Sequence, residues 1–183
     1  SPGAGESEES KAKSRKIQQK SGTEKSRSKI KVAREKKMIR VRKIAHASYE
    51  MPDPGKQTEY YTDILGLNLI AKEKDAVYLA NTVDHHSVVL RKGDQAKCTR
   101  IGFQIGPQED LNEFEKQTQK HGVKTSRKKD PEPSISDMLV FEDPKGTTIE
   151  VFKRPDFLHQ KFPTKGVVPH KLGHVAFHCE DVK

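Results

Sequence analysis

The sequence has few cysteines and no long apolar run. Only Cys98 and Cys179 are present among 183 residues, and neither lies in a C-x-x-C pair, which excludes a disulfide framework. No apolar run approaches the roughly 20 residues that cross a bilayer. The charged N-terminus lacks the apolar stretch of a signal peptide. The sequence therefore predicts a soluble, cytoplasmic protein with reduced cysteines and no membrane association.

The positive charge of the chain is confined to its first quarter. The formal net charge is +9. Residues 1–43 hold 15 Lys/Arg and 5 Asp/Glu, whereas residues 44–183 hold 20 and 21. The segment before Met38 has no aromatic side chain that could stack on bases and no recognition motif. Nucleic-acid binding is therefore not predicted, despite the basic tail.

Residues 1–37 are rich in Ser, Lys, Glu and Gln. Such a segment buries too little apolar surface to offset the cost of ordering its backbone, about 1–2 kcal/mol per residue. We predict a disordered basic tail. An alternative is that Met38 is the true start and that the tail is not native.

From Met38 onward, a β-α-β-β-β pattern occurs twice. In the first module, of about residues 40–92, we predict strands at 44–51, 67–72, 76–81 and 87–91 and a helix at 57–65 that ends at Gly66. The second module, of about residues 97–153, repeats this order with strands at 98–105, 123–126, 138–142 and 148–153 and a helix at 109–120. The repetition predicts an internal duplication within one domain at 38–153.

A proline-containing segment and a third copy of the opening strand follow. Residues 154–169 hold three prolines and no regular pattern, which predicts a linker. Residues 172–180 then read L-G-H-V-A-F-H-C-E and repeat the first strand, with His174 aligned to His46. Residues 170–183 are therefore interpreted as the first strand of a truncated second domain.

These motifs resemble the vicinal oxygen chelate superfamily, which includes glyoxalase, bleomycin-resistance and extradiol-dioxygenase proteins. The resemblance covers residues 38–183. It is carried by I-A-H at 44–46, Y-Y-T-D-I-L-G-L at 60–67, F-E-D-P-K-G-T-T-I-E-V-F at 141–152 and L-G-H-V-A-F at 172–177. It implies an α+β fold in which the paired β-α-β-β-β modules form a curved mixed sheet. The renewed L-G-H strand after a linker is similar to the two-domain catechol 2,3-dioxygenases.

The resemblance also implies positions for metal ligands. Within one domain of the superfamily, the ligands lie on the first strand of the first module and on the first and last strands of the second. These positions are His46, Arg100 and Glu150 in this chain. Because arginine is permanently cationic and has no lone pair to donate, we expect Arg100 to pair with Glu150. The first domain is therefore expected to bind no metal, with His46 and Glu150 as vestigial ligands.

In the second domain, the resemblance implies that His174 is the first metal ligand, while the catalytic residues are expected beyond Lys183. His178 is a candidate substrate contact because it alternates with His174. The complete protein is then expected to use Fe(II), or Mn(II), and O2 to cleave a small aromatic diol. This chain would supply its non-catalytic N-terminal part and, with an unpaired strand at 172–180, would form a homo-oligomer.

Two alternatives to this interpretation stay open. One is a metal-free binding module of bleomycin-resistance type that encloses an apolar ligand. The other is a dimeric metalloenzyme of glyoxalase or thiol-transferase type that uses His46 and Glu150 across a dimer.

Four smaller expectations concern individual side chains. His46 is expected to be a hydrogen-bonded histidine inside the barrel. His85-His86 is interpreted as a turn rather than a chelating pair, since adjacent strand residues point to opposite faces. Residues 127–129 are interpreted as a solvated basic loop. Tyr60 and Tyr61 are expected to be core residues, together with Ile64 and Leu65.

Overall fold

A computed structural model describes residues 38–153 and 165–177. The chain divides into two compact units, Ser1–Met38 and Ile39–Lys183, and all elements given below belong to the second. The predicted disordered tail at 1–37 and most of the predicted linker lie outside the described residues. No helix in the described parts is long and apolar enough to span a membrane.

Both predicted modules are present, each with four strands and a helical segment. The elements of the first module are β1 (Val41–Met51), α1 (Pro54–Glu59), a π-helical turn (Tyr60–Ile64), β2 (Asn68–Lys72), β3 (Ala76–Ala80) and β4 (Val88–Lys92). Those of the second module are β5 (Lys97–Ile105), α2 (Leu111–Lys120), β6 (Ser126–Glu132), β7 (Ile135–Glu142) and β8 (Thr148–Lys153). The predicted duplication is confirmed.

All eight strands form one curled mixed sheet in the order β2-β3-β4-β1-β5-β8-β7-β6. Within each module the first and last strands are parallel, and the other pairs are antiparallel. The modules join through the antiparallel β1–β5 pair, in which His46 lies opposite Gly102 and Ser48 opposite Arg100. A twofold rotation that exchanges β1 and β5 would place the first of these pairs on the second. His46 of β1 therefore corresponds to Arg100 of β5.

The two faces of the sheet carry different side chains. One face packs against the helices: Leu79 and Leu90 lie with Tyr61 and Leu65, whereas Leu139 and Val151 lie with Leu111 and Phe114. Leu111 is buried, and Phe114 packs against the same cluster. Because strand residues alternate between faces, Glu150 and Phe152 of β8 project from the opposite, concave face. That face carries the buried polar residues considered below.

The prediction for the basic segment at 127–129 was wrong. It forms β6, which pairs antiparallel with β7, whereas the predicted strand at 123–126 lies largely before it. Arg127 contributes to this pairing through hydrogen bonds from Nε to Asp137 Oδ1 (2.9 Å) and from Nη2 to Asp137 Oδ2 (2.5 Å). Edge strands are commonly rich in charged residues, which discourage pairing with other chains. For this reason β6 lacks the alternation of apolar and polar residues from which a strand is usually predicted.

The Arg127–Asp137 ion pair leads us to expect that the free energy of unfolding falls in acid. Hydrogen bonds from Arg127 outweigh partial burial and lower the pKa of Asp137 from 3.8 to about 2. The ion pair therefore contributes stability above pH 4 that is lost as the pH falls through 2. We expect Asp137→Asn to cost about 1 kcal/mol at pH 7, because solvent screens the pair, and almost nothing at pH 2. Urea unfolding across this range measures the difference.

Asp75→Asn, at an exposed aspartate, serves as the control and should leave the pH profile unchanged. An equal deficit of Asp137→Asn at pH 2 and pH 7 would contradict the assignment to this ion pair.

The prediction for the first helix was correct in place but wrong for two side chains. Tyr60 and Ile64 are 49% and 55% exposed, whereas Tyr61 and Leu65 pack in the core. The cause is the π-helical turn, in which the Leu65 N–H donates to the Tyr60 carbonyl oxygen five residues earlier (3.2 Å). This extra residue in the turn rotates Tyr60 and Ile64 away from the buried face.

The segment 165–170 lies against the end of this helical region. The N–H groups of Val167 and Val168 donate to the carbonyl oxygens of Ile64 (3.1 Å) and Leu65 (3.0 Å). Thr82 Oγ1 lies 2.9 Å from His170 Nδ1. Gly66 ends the helical segment as predicted, with φ +76°, and a Cβ there would lie 1.9 Å from the Lys165 carbonyl oxygen. The end of the predicted linker is therefore anchored on the first module.

Residues 172–177, the described part of the predicted third strand, form no strand. Strand geometry requires a neighbouring strand to exchange backbone hydrogen bonds, and no partner is paired with this segment in the part of the chain that the structure describes. The assignment of residues 170–183 to a second domain stays a prediction.

Candidate functional site

His46 lies at the centre of the concave face and is fully buried. Its Nε2 is 2.9 Å from Glu150 Oε2, so the imidazole N–H donates to the carboxylate. The ring stacks on Phe152, with centroids 5.5 Å apart, and its centroid lies 5.0 Å from that of His86. Nδ1 has no hydrogen-bond partner. The expectation of a hydrogen-bonded interior histidine is confirmed.

Glu150 also binds Arg100, whose Nη1 donates to Glu150 Oε1 at 3.1 Å. The parallel β5–β8 register places Gly102 beside Glu150, and Arg100 lies two residues from Gly102 on the same face. The Glu150 carboxylate is 1% exposed, whereas the Arg100 side chain is 31% exposed. The Arg100–Glu150 ion pair expected from the sequence is therefore present. Both carboxylate oxygens of Glu150 are bonded, one to Arg100 and the other to His46.

Two further residues, not predicted as site residues, complete the buried group. His86 lies in the connection between β3 and β4, and Glu132 ends β6. Glu132 Oε2 lies 3.5 Å from His86 Nε2 and 3.8 Å from His46 Nε2. His46, His86 and Glu132 each offer one possible ligand atom, and these three atoms lie within 4.8 Å of one another. His86 is 3% and Glu132 7% exposed.

The interpretation of His85-His86 was therefore correct for the backbone and wrong for one side chain. The two residues do lie in the connection between strands, but the ring of His86 turns into the concave face and packs edge-on to Tyr78 at 5.3 Å. Burial against an aromatic ring was not predictable from two adjacent histidines in a polar turn.

Glu132 is ionised in this group. Burial would raise its pKa, but the neighbouring His86 and His46 imidazoles and the Arg91 guanidinium lower it to about 2. Arg91 is the one of these neighbours with a permanent charge, and its Nη2 donates to Glu132 Oε1 at 2.8 Å. Burial lowers the pKa of His86. Glu132 is thus ionised and His86 is held towards its neutral form.

An open cavity of about 410 Å³ lies beside the buried group. Its lining consists of Arg91, Arg100, Lys128, Lys129, Pro131, Glu132 and Glu150. Both carboxylates are already paired with the two arginines. The lining therefore carries an excess of positive charge from β6.

Comparison with known proteins identifies the family. The model described as "Glyoxalase/Bleomycin resistance protein/Dioxygenase superfamily" matches residues 43–151, more than half of the chain. The chain belongs to this superfamily. Its eight-stranded sheet of two β-α-β-β-β modules is the fold that the resemblance implied.

Two similar proteins are dioxygenases. A manganese-dependent 2,3-dihydroxybiphenyl 1,2-dioxygenase of Geobacillus genomosp. 3 is 23% identical over 150 residues, and the match covers 74% of this chain and 48% of that protein. Homoprotocatechuate 2,3-dioxygenase of Brevibacterium fuscum, with 3,4-dihydroxyphenylacetate bound, is 30% identical with a TM-score of 0.60. That match covers 66% of this chain and 39% of the dioxygenase. The chain spans less than half the length of these relatives.

One of the three ligand positions that the resemblance implies holds a group that cannot bind a cation. The guanidinium of Arg100 stands at the second position and lies 3.1 Å from the Glu150 carboxylate at the third. It offers no lone pair and repels a cation.

His174 is exposed and lies in the segment without strand structure. His178 lies outside the described residues. The roles predicted for these two histidines stay predictions.

Proposed function

We propose that this chain is the non-catalytic N-terminal part of an extradiol dioxygenase-like protein that cleaves a catechol-type substrate. The observation that carries the proposal is the Arg100–Glu150 ion pair, which fills the superfamily's metal-ligand positions in this domain. The similar dioxygenases are all more than twice as long as the matched segment, which supports a catalytic part outside it.

In this proposal His46, Arg100 and Glu150 have a structural role. The His46–Glu150 contact (2.9 Å) joins β1 to β8 across the boundary between the two modules, and the Arg100–Glu150 contact (3.1 Å) joins β5 to β8 within the second module. Glu150 lies between both partners and keeps both carboxylate oxygens hydrogen-bonded. The residues at the former ligand positions thus link the duplicated halves of the domain.

The catalytic part is assigned by resemblance. His174 would be its first metal ligand, and the remaining ligands and acid–base residues would follow Lys183. A bound Fe(II) or Mn(II) would act as Lewis acid and template for the diol and O2. The contribution of the chain described here is to fold the N-terminal domain and to hold the segment that leads to His174.

The two alternatives agree less well with the concave face. An apolar ligand does not suit a cavity whose lining holds Arg91, Arg100, Lys128 and Lys129. A site shared across a dimer does not suit His46 and Glu150, because they are 0% and 1% exposed and bind each other within one chain.

The proposal is tested by oxygen uptake and ring-cleavage absorbance with 2,3-dihydroxybiphenyl and with 3,4-dihydroxyphenylacetate. The 183-residue chain, supplied with Fe(II) or Mn(II), should give no turnover above the metal-only blank. The protein that extends from this chain through a second domain should turn over at least one of these diols. Turnover by the 183-residue chain alone would overturn the proposal.

A further inference from the structure

We propose that His46 Nε2, His86 Nε2 and Glu132 Oε2 bind a divalent first-row transition metal ion at a site distinct from the superfamily's metal position. The site shares only His46 with that position, and its other two ligands come from the β3–β4 connection and from β6. The ion would have a structural or regulatory role in the N-terminal domain. The inference does not depend on the proposed function, because it concerns binding and not turnover.

The first argument is the unsatisfied state of two of the three ligand atoms, since His46 Nε2 is hydrogen-bonded to Glu150. His86 Nε2 and Glu132 Oε2 are both buried without a hydrogen-bond partner, although they point at each other from 3.5 Å. Buried polar atoms are nearly always hydrogen-bonded, and an orphaned group costs about 1–3 kcal/mol. Two such atoms, directed at one point together with His46 Nε2, indicate a bound group between them.

The second argument is the spacing of the donors. With metal–ligand bonds of about 2.1 Å, neighbouring donors of a tetrahedral site lie about 3.4 Å apart. The observed separations from Glu132 Oε2 are 3.5 Å to His86 and 3.8 Å to His46. Two imidazoles and one carboxylate form a ligand set that Zn(II), Fe(II) and Mn(II) accept with open positions. The open cavity beside the group could supply water or an anion to those positions.

The third argument is the orientation of Glu132. Arg91 binds its Oε1 at 2.8 Å and leaves Oε2 directed at the two imidazoles. Outer hydrogen bonds of this kind hold metal-binding carboxylates in place. Binding would replace the hydrogen bond from His46 Nε2 to Glu150, whose other oxygen stays with Arg100, and the His46 ring proton would then reside on Nδ1.

The same surroundings limit the affinity. Arg91 and Arg100 already neutralise Glu132 and Glu150, so a divalent ion adds two uncompensated positive charges. Chloride should therefore strengthen binding, because an anion that enters the basic cavity offsets this charge.

The experiment is a titration of the full 183-residue chain with Co(II), followed by its d–d absorbance, and with Zn(II) by calorimetry. We expect one ion per chain and no cobalt–thiolate charge-transfer band. His86→Ala and Glu132→Gln should each weaken binding by at least about 100-fold, more than the 10–100-fold that an outer-shell change costs. Glu150→Gln should still bind one ion per chain, and His121→Ala, an exposed histidine, should change nothing.

Several results would overturn the inference. These are no saturable binding by the wild-type chain, retained binding in His86→Ala and Glu132→Gln, or loss of binding in Glu150→Gln alone, which would place the ion at the superfamily position. If the variants unfold, the wild-type chain decides. Substoichiometric Mn(II) should broaden the NMR signals of the His46 and His86 rings and spare His121, and uniform broadening of all rings would contradict the site.

Discussion

In the two-domain protein proposed above, His174→Ala is expected to lower kcat/KM for ring cleavage by at least about 1,000-fold. The reason is that the proposal makes His174 a direct ligand of the catalytic metal, and loss of an outer-shell partner alone costs 10–100-fold. The change should appear in ring-cleavage absorbance with saturating Fe(II) or Mn(II). Bound metal, measured after gel filtration, should fall in parallel.

The matched variant is Glu150→Gln, which removes the charge of one of the ligand positions that the resemblance implies for the N-terminal domain. Because its carboxylate is paired with Arg100 and His46, we expect kcat/KM to stay within about threefold once a thermal melt has confirmed folding. If Glu150→Gln instead abolishes turnover while the domain stays folded, the N-terminal domain takes part in catalysis. Full activity of His174→Ala would remove the assigned ligand.

The second large effect is expected from Gly102→Ala. A Cβ at this position would lie 2.4 Å from Cε1 and 2.6 Å from Nε2 of His46. The ring cannot move away, because Phe152, His86 and Glu150 surround it and it is fully buried. Overpacking of this kind costs about 1–3 kcal/mol, so we expect a loss near the upper end. Tm should fall by roughly 10 °C in a domain of this size.

Gly173→Ala is the control, since a Cβ there meets no atom within 4 Å, and its Tm should be unchanged. The clash with His46 is isolated by a double-mutant cycle. In a His46→Ala background, Gly102→Ala should cost less than about 0.5 kcal/mol, because the ring is gone. An undiminished cost in that background would show that the backbone of β5, and not the His46 ring, requires glycine.

The sequence was sufficient to predict the fold because its elements carry strong local signals. Both helices end at glycines with positive φ, Gly66 and Gly122, and buried strands such as β3 are continuously apolar. The exceptions have local causes. The signal for β6 lies in its ion pairs with β7. The π-helical turn before Gly66 changes which side chains are buried in a helix whose end was predicted correctly and whose start lies three residues earlier than predicted.

The site was predicted in part, and the difference follows from where its residues lie. His46, Arg100 and Glu150 belong to strands that the repeat aligns, so their proximity could be inferred from register. His86 and Glu132 belong to a connection and to the end of an edge strand, where no periodicity fixes the direction of a side chain. One available signal was missed: Glu132 ends a charged segment that must face the same cavity as Arg100.

The hydrogen bonds of residues 165–170 determine which part of the domain bears a force applied to the chain beyond Phe177. A pull on the chain beyond Phe177 reaches the hydrogen bonds of Val167 and Val168 with the end of the π-helical turn, and of His170 with Thr82, before it reaches β8. Tension is thus taken up by the first module, although the second module directly precedes this segment in the chain. The β5–β8 ladder is reached by this force only after these hydrogen bonds have broken.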